Sequence, residues 1–172
     1  MAGNFKRDLT TGEKAELFFE KYCKTQNISY QDVRMDKEYQ KADIDYITDK
    51  LGKVEVKCNY KDAMYGRPGR YFLIELYQGE KDGWWHYSKP DWFCFNDTEN
   101  SGILIENSPS FRKFINNCIE SGDHSKYGNN RIDKIKDKRP YGYITMTCMR
   151  VYISDMIDSG LPLVNIVTRR KI

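Results

Sequence analysis

The chain has little of what announces the commonest chemistries. It holds two histidines, His86 and His124, and neither sits in an HxH, HExxH or HNH-like setting. Familiar histidine-centred metal sites are therefore not expected. Its five cysteines, Cys23, Cys58, Cys94, Cys118 and Cys148, are odd in number, widely spaced and without a CxxC pair. That pattern argues against both a disulfide framework and a zinc knuckle. No apolar run approaches the roughly 20 residues a transmembrane helix needs, so no membrane partner is expected. The opening MAGNFKRDLT lacks an apolar signal-peptide core, which predicts a cytoplasmic protein. There is no GxxxxGK[ST] loop, GxSxG elbow or Rossmann fingerprint, and no organic cofactor is expected. Internal repeats and low-complexity tracts are also missing.

What is present fits one domain of 172 residues, with 40% hydrophobic and 31% charged side chains. A sizeable core is possible, and disorder is not indicated. Net charge is only +3, from 28 basic and 25 acidic residues. The distribution is less even. Residues 126–172 carry ten basic and four acidic side chains, a net of +6, which leaves residues 1–125 at −3. Aromatic residues cluster between Tyr60 and Phe95.

Thr10 and Glu13 match a capping box, and Ala15, Phe18, Phe19, Tyr22 and Cys23 follow at helical spacing, which predicts a helix ending near Asn27. A short strand is expected at Tyr30 to Arg34, then loop. KADIDYITDKLGKVEVKCNYK reads as a hairpin with Gly52 as its left-handed turn residue. MYGRPGR is a Gly/Pro loop, YFLIELY a strand, GEKDGWW a turn, and WFCF and GILIE further strands. SPSFRKFINNCIES reads as a helix capped by Ser108. Residues 122–140 read as basic loop, and Tyr141 to Ile153 as a strand.

The hairpin carries the chemistry. Alternate residues of a strand share a face, so Asp43 goes with Asp45 and Glu55 with Lys57. A three-residue loop Lys50-Leu51-Gly52 pairs Asp49 with Lys53, which sets Asp45 opposite Lys57 and Ile47 opposite Glu55. All four ionisable residues then share one face, while Ile44, Tyr46, Val54, Val56 and Cys58 line the other. A loop one residue shorter or longer would separate the acids. Clustered carboxylates repel unless a cation neutralises them, and hard oxygen donors suit Mg²⁺ or Mn²⁺. A lysine beside a metal-bound phosphate could orient an attacking water and stabilise charge developing on phosphorus.

Asp45 and, after nine intervening residues, Glu55-Val56-Lys57, preceded by an acid-bearing helix, resemble the active site of the PD-(D/E)xK nuclease superfamily. The Gly12-x3-Glu16 helix start and the DIDYI and VEVK strands look most like its Holliday-junction-resolvase and Mrr-like branches, and PGRYFLIELY with GWWHYSKPDWFCF is similar to small phage and bacterial nucleases of the superfamily. The resemblance covers about Thr10 to Phe95. It implies a restriction-endonuclease-like α/β fold, a mixed central sheet flanked by helices. It also implies Mg²⁺ or Mn²⁺ held by Asp45, Glu55 and the Val56 carbonyl, with Lys57 catalytic and a helix acid, Glu16 ahead of Glu13, supporting the site. The proline of the motif name is missing, since Ala42 precedes Asp43 and Ile44 precedes Asp45. Which aspartate is the ligand therefore stays open, with spacing favouring Asp45. The implied activity is a metal-dependent DNA endonuclease, structure-specific in the resolvase manner and acting as a homodimer. The competing reading is a nucleic-acid- or protein-binding module that kept the fold and lost the reaction.

Each candidate also has a plainer reading. The four hairpin residues could be the solvated face of an amphipathic hairpin, worth about 0.2–1 kcal/mol in cross-strand pairing. Glu13 reads as a cap and Glu16 as an answer to the helix dipole. Glu75 could face the site or bond an edge. Trp84, Trp85, Tyr87 and Trp92 could stack on bases, although packing is the commoner role. Lys61, Arg67, Arg70, Arg131, Lys134, Lys136, Lys138 and Arg139 are candidates for binding DNA phosphates, with Arg169, Arg170 and Lys171 as a basic tail.

Overall fold

The computed structural model describes residues 3–58, 71–98, 101–121, 131–139 and 141–167. Among these are five helices and ten strands in a mixed α/β arrangement. In chain order they are α1 (Gly3–Gln26), β1 (Tyr30–Asp32), α2 (Lys37–Lys41), β2 (Tyr46–Thr48), β3 (Gly52–Cys58), β4 (Tyr71–Gln78), β5 (Lys81–Asp82), α3 (Trp84–Tyr87), β6 (Trp92–Thr98), β7 (Ser101–Glu106), α4 (Pro109–Ser121), β8 (Arg131–Arg139), β9 (Gly142–Tyr152), α5 (Ile153–Asp158) and β10 (Val164–Val167).

The chain divides into two compact units that interleave in sequence: 1–59 with 88–107 and 162–172, and 60–87 with 108–161. The first is built on a six-stranded sheet in the order β1-β2-β3-β6-β7-β10. Only β3 and β6 run parallel. Parallel neighbours need a long crossover, and here the intervening chain supplies β4, β5 and α3 of the other unit. The remaining pairs are antiparallel, which makes the sheet mixed.

Helix α1 covers this sheet. Ala15, Phe18, Phe19 and Cys23 pack on Tyr46, Val54, Val56, Cys94, Leu104 and Ile166. The expected spacing is borne out, and each buried aromatic contributes about 1.5–3 kcal/mol of transfer free energy. The contact is close at Gly102, where an added Cβ would lie 2.8 Å from the Phe95 carbonyl oxygen and 2.9 Å from Phe18 Cε1. The helix start differs from expectation. α1 begins at Gly3, so Thr10 and Glu13 lie inside it rather than at its start. Seven more residues join because nothing between Gly3 and Thr10 breaks a helix. Its end falls where expected, with Asn27 at φ +52°.

The second unit holds a four-stranded antiparallel sheet, β5-β4-β9-β8, with α3, α4 and α5. Ser108 caps α4 as expected, its hydroxyl accepting from the Phe111 N–H at 3.2 Å. Residues 131–139, expected as loop, form β8 instead. RIDKIKDKR pairs along its length with β9, and that partner outweighs the weak β propensity of its charges.

Candidate active site

The hairpin β2–β3 pairs Tyr46 with Val54, Ile47 with Lys53 and Thr48 with Gly52. The register differs by two residues from the expected one. Ile47 faces Lys53 rather than Glu55, and Asp49, Lys50 and Leu51 make the turn, with Gly52 at φ +71°. A shift of two preserves the faces, because side chains alternate with a period of two. Ile44, Tyr46, Val54 and Val56 are buried, and Cys58 packs at the core margin. Asp43, Asp45, Glu55 and Lys57 come together on the other side.

The ladder ends at Tyr46, and the Asp45 side chain continues it. Asp45 N–H donates to the Val54 carbonyl at 3.0 Å, its own carbonyl accepts from Val33 N–H at 2.9 Å, and its Oδ2 accepts from Val56 N–H at 2.9 Å. Asp45 is thus fixed on three sides. A strand residue's N–H and C=O point the same way, so the Val56 carbonyl faces the Asp45 side, beyond the last β2 pair. Next on β3, Glu55 is only 3% exposed. Its Oε1 is ion-paired with Lys57 Nζ, while Oε2 is buried without a hydrogen-bond partner among the described residues. Lys57 Nζ also donates to Asp43 Oδ2 at 2.8 Å.

Burial dominates the electrostatics. Desolvation pushes the Glu55 carboxyl well above the usual range, offset in part by the Lys57 ammonium and reinforced by Asp45 and Asp43. Asp45 is raised by burial too, against the pull of the Val56 N–H. The Asp45 and Glu55 carboxyls lie within hydrogen-bonding reach of each other. Neighbouring carboxyls in a dry setting raise each other's pKa, and the Lys57 ammonium offsets part of that repulsion. For Lys57, burial lowers the pKa, but the Glu55 and Asp43 charges outweigh it, so the pKa rises and the ammonium persists.

Asp45 and Glu55 are the side chains here that could hold a hard divalent cation. Two carboxyls in contact, an orphaned buried carboxylate oxygen and a main-chain carbonyl are oxygen donors of the kind Mg²⁺ takes while keeping several waters. Among the described residues no group of three or more His, Cys, Asp or Glu side chains is placed to hold a metal.

Glu16, on α1, is ion-paired with Arg34 and senses the Asp45 charge; burial raises its pKa against the opposing guanidinium. Arg34 went unnoticed in the sequence. Its Nε donates to Asp32 Oδ1 at 2.9 Å, it lies 3.6 Å from Glu20, and its guanidinium sits 5.3 Å from the centre of the Tyr46 ring. Glu20 in turn accepts from the Tyr46 hydroxyl at 3.0 Å and the Tyr30 hydroxyl at 3.3 Å. The available signal was the Glu16–Glu20 spacing, which puts two acids on one helix face and calls for a cation. Glu13 is exposed on the same helix.

The other candidates fall elsewhere. Lys61, Arg67 and Arg70 lie outside the described residues, as do His124, Arg169, Arg170 and Lys171. Arg131, Lys134, Lys136, Lys138 and Arg139 lie on β8, where Lys134 and Lys136 share one side of the strand and are exposed. Glu75 is on β4 of the second unit, across from Cys148. Trp84 and Trp85 are buried, the latter edge-on to Phe111 at 5.7 Å with the Arg112 guanidinium 4.0 Å over its ring. Trp92 packs at the margin of the α1 core, whereas Tyr87 is exposed. No helix among the described residues is long and apolar enough to cross a membrane.

The fold and site thus define a mixed α/β protein with a carboxyl pair and a lysine gathered on one hairpin face. No family model, curated protein or solved structure matches the chain.

Proposed function

We propose that the protein is a divalent-cation-dependent phosphodiester hydrolase acting on DNA, of the restriction-endonuclease-like kind. The observation that carries this reading is the buried Glu55 carboxyl on the hairpin face it shares with Asp45, beside the Lys57 ammonium and with Oε2 lacking a hydrogen-bond partner among the described residues. Asp45, Glu55 and the Val56 carbonyl would hold Mg²⁺ or Mn²⁺. The cation would supply charge neutralisation at the phosphate and a more acidic water. Lys57 contributes a persistent positive charge that orients the water and stabilises the negative charge growing on phosphorus. Glu16, paired with Arg34 and close enough to sense the Asp45 charge, would support that edge of the site. Exposed Lys134 and Lys136 offer phosphate contacts, and a symmetric homodimer would match a branched, two-fold DNA substrate.

A cleavage panel tests the reading: branched, duplex, nicked and single-stranded DNA and RNA, each with Mg²⁺, Mn²⁺ or EDTA. Cleavage of DNA with either metal and none in EDTA is expected. Lys57→Ala should slow it about 10²–10³-fold, the usual loss when one stabilising donor is removed. Undiminished rates for Lys57→Ala would sink the mechanism. The closed pairing of Lys57 and Arg34 with acids is what a non-catalytic module would also show. Tight DNA binding without Mg²⁺ or Mn²⁺ binding would favour that reading.

A further inference from the structure

Asp43 occupies a backbone position where a carboxylate is not needed for the fold. It follows the C-cap Ala42 of α2 and has φ +54°. The helix closes through main-chain bonds alone, Asp43 N–H to the Gln40 carbonyl at 3.2 Å and Ile44 N–H to the Tyr39 carbonyl at 3.1 Å. This is the Schellman arrangement, in which the left-handed residue is usually glycine because it carries no Cβ. Here the position carries an acid instead, and its Oδ2 lies 2.8 Å from Lys57 Nζ on β3.

We propose that Asp43 is a positioning residue, holding the Lys57 ammonium beside Glu55 and not itself ligating the cation. The role assigned to Lys57 rests on the hydrolase reading above; the Asp43–Lys57 tether does not. An ammonium has three donors and Glu55 engages one of them. A cation arriving at the Glu55 carboxylate would draw that oxygen away from Lys57. Asp43 supplies a second anchor, on a backbone set by the closure of α2, so Lys57 stays in place when Glu55 turns to the metal.

The test compares Asp43→Asn, which keeps the shape and tolerates the left-handed backbone, with Asp43→Gly, which also relieves that backbone. Acylation of Lys57 in the metal-free, full-length protein, followed by peptide mass spectrometry, should be at least about fivefold faster in both variants, because a charge-assisted anchor has gone. An unchanged rate overturns the proposal. This readout needs no catalysis, so it stands even if the parent cleaves nothing and the hydrolase reading fails. Mn²⁺ affinity by calorimetry should stay within about twofold of the parent, whereas a loss of about tenfold or more makes Asp43 a ligand and overturns the proposal. In cleavage, both variants should lower kcat with little change in KM, and Asp43→Asn should cost nothing further in a Lys57→Ala background. Additive losses in that double variant overturn it. Equal or greater thermal stability of Asp43→Gly with the same fall in kcat separates positioning from a structural role.

Discussion

Lys57 Nζ and Asp43 Oδ2 meet at 2.8 Å from positions fourteen residues apart, one on a central strand and the other at the exit of a single helical turn. The same lysine also pairs with Glu55, which stands 3% exposed with one oxygen lacking a hydrogen-bond partner among the described residues. A buried ion pair of this kind is weak evidence for stability, since desolvation offsets much of the attraction. It is better understood as a poised site, and its cost should be measurable.

Glu55→Gln should abolish cleavage and weaken the pH dependence of the metal-free protein's stability. The sign follows from the raised pKa values of Glu55, Asp45 and Glu16. An acid whose folded pKa lies above its unfolded value binds more protons when folded. Its contribution to stability is therefore largest below the unfolded value, 4.5 for Glu55, and is lost as pH rises toward the raised folded value. Metal-free protein should gain from these groups on mild acidification from neutrality, and Glu55→Gln should flatten that trend. Each kcal/mol recovered raises Tm by about 2–4 °C, readable in thermal scans across pH.

Mg²⁺ or Mn²⁺ should neutralise the Asp45 and Glu55 carboxylates and so raise Tm most at neutral pH, where their raised pKa values make the metal-free charges most costly. At a free concentration of about 100 times Kd, the linkage gain is about 2.7 kcal/mol. EDTA should remove it, and neither Glu55→Gln nor Asp45→Asn should show it. An equal metal-induced shift in those variants would place the cation elsewhere.

Arg34→Ala should destabilise the protein by about 1–3 kcal/mol in urea, because it leaves Glu16, Glu20 and Asp32 without their shared cation. Arg34→Lys should restore only part of this, since an ammonium cannot fork among three carboxylates while lying over the Tyr46 ring.

Gly102→Ala should cost about 1–3 kcal/mol, with a lower urea midpoint and an unchanged m value. An added methyl would meet the Phe95 carbonyl at 2.8 Å, and backbone cannot yield as a side chain can. No change in midpoint would mean that α1 does not lie closely on β7.

Much of the arrangement was legible in residue order. Phe18, Phe19 and Cys23 announced the buried face of α1, and Ser108 announced the start of α4. In the hairpin, the alternation of Tyr46, Val54 and Val56 with Asp45, Glu55 and Lys57 determined which residues share a side. It could not decide between registers two residues apart, because both give the same faces. Pairing Ile47 with Lys53 goes with a turn held from outside the hairpin, where Asp49 N–H donates to the Ser29 carbonyl at 3.1 Å and Asp49 Oδ1 accepts from Ser29 N–H at 3.0 Å. Five-residue α2 was illegible because one turn shows no periodicity, and Asp43's place beside Lys57 went with it.

Local pattern therefore determined which faces are apolar and which acids travel together, since side-chain periodicity is a property of neighbours along the chain. Partnership across the fold was decided only by tertiary structure. Arg34 finds Glu16 eighteen residues away, β3 finds β6 in parallel across an intervening excursion, and the charged run 131–139 becomes a strand because β9 is there to bond it. Those contacts draw their free energy from burial and from hydrogen bonds between segments far apart in sequence, where no local signal reaches.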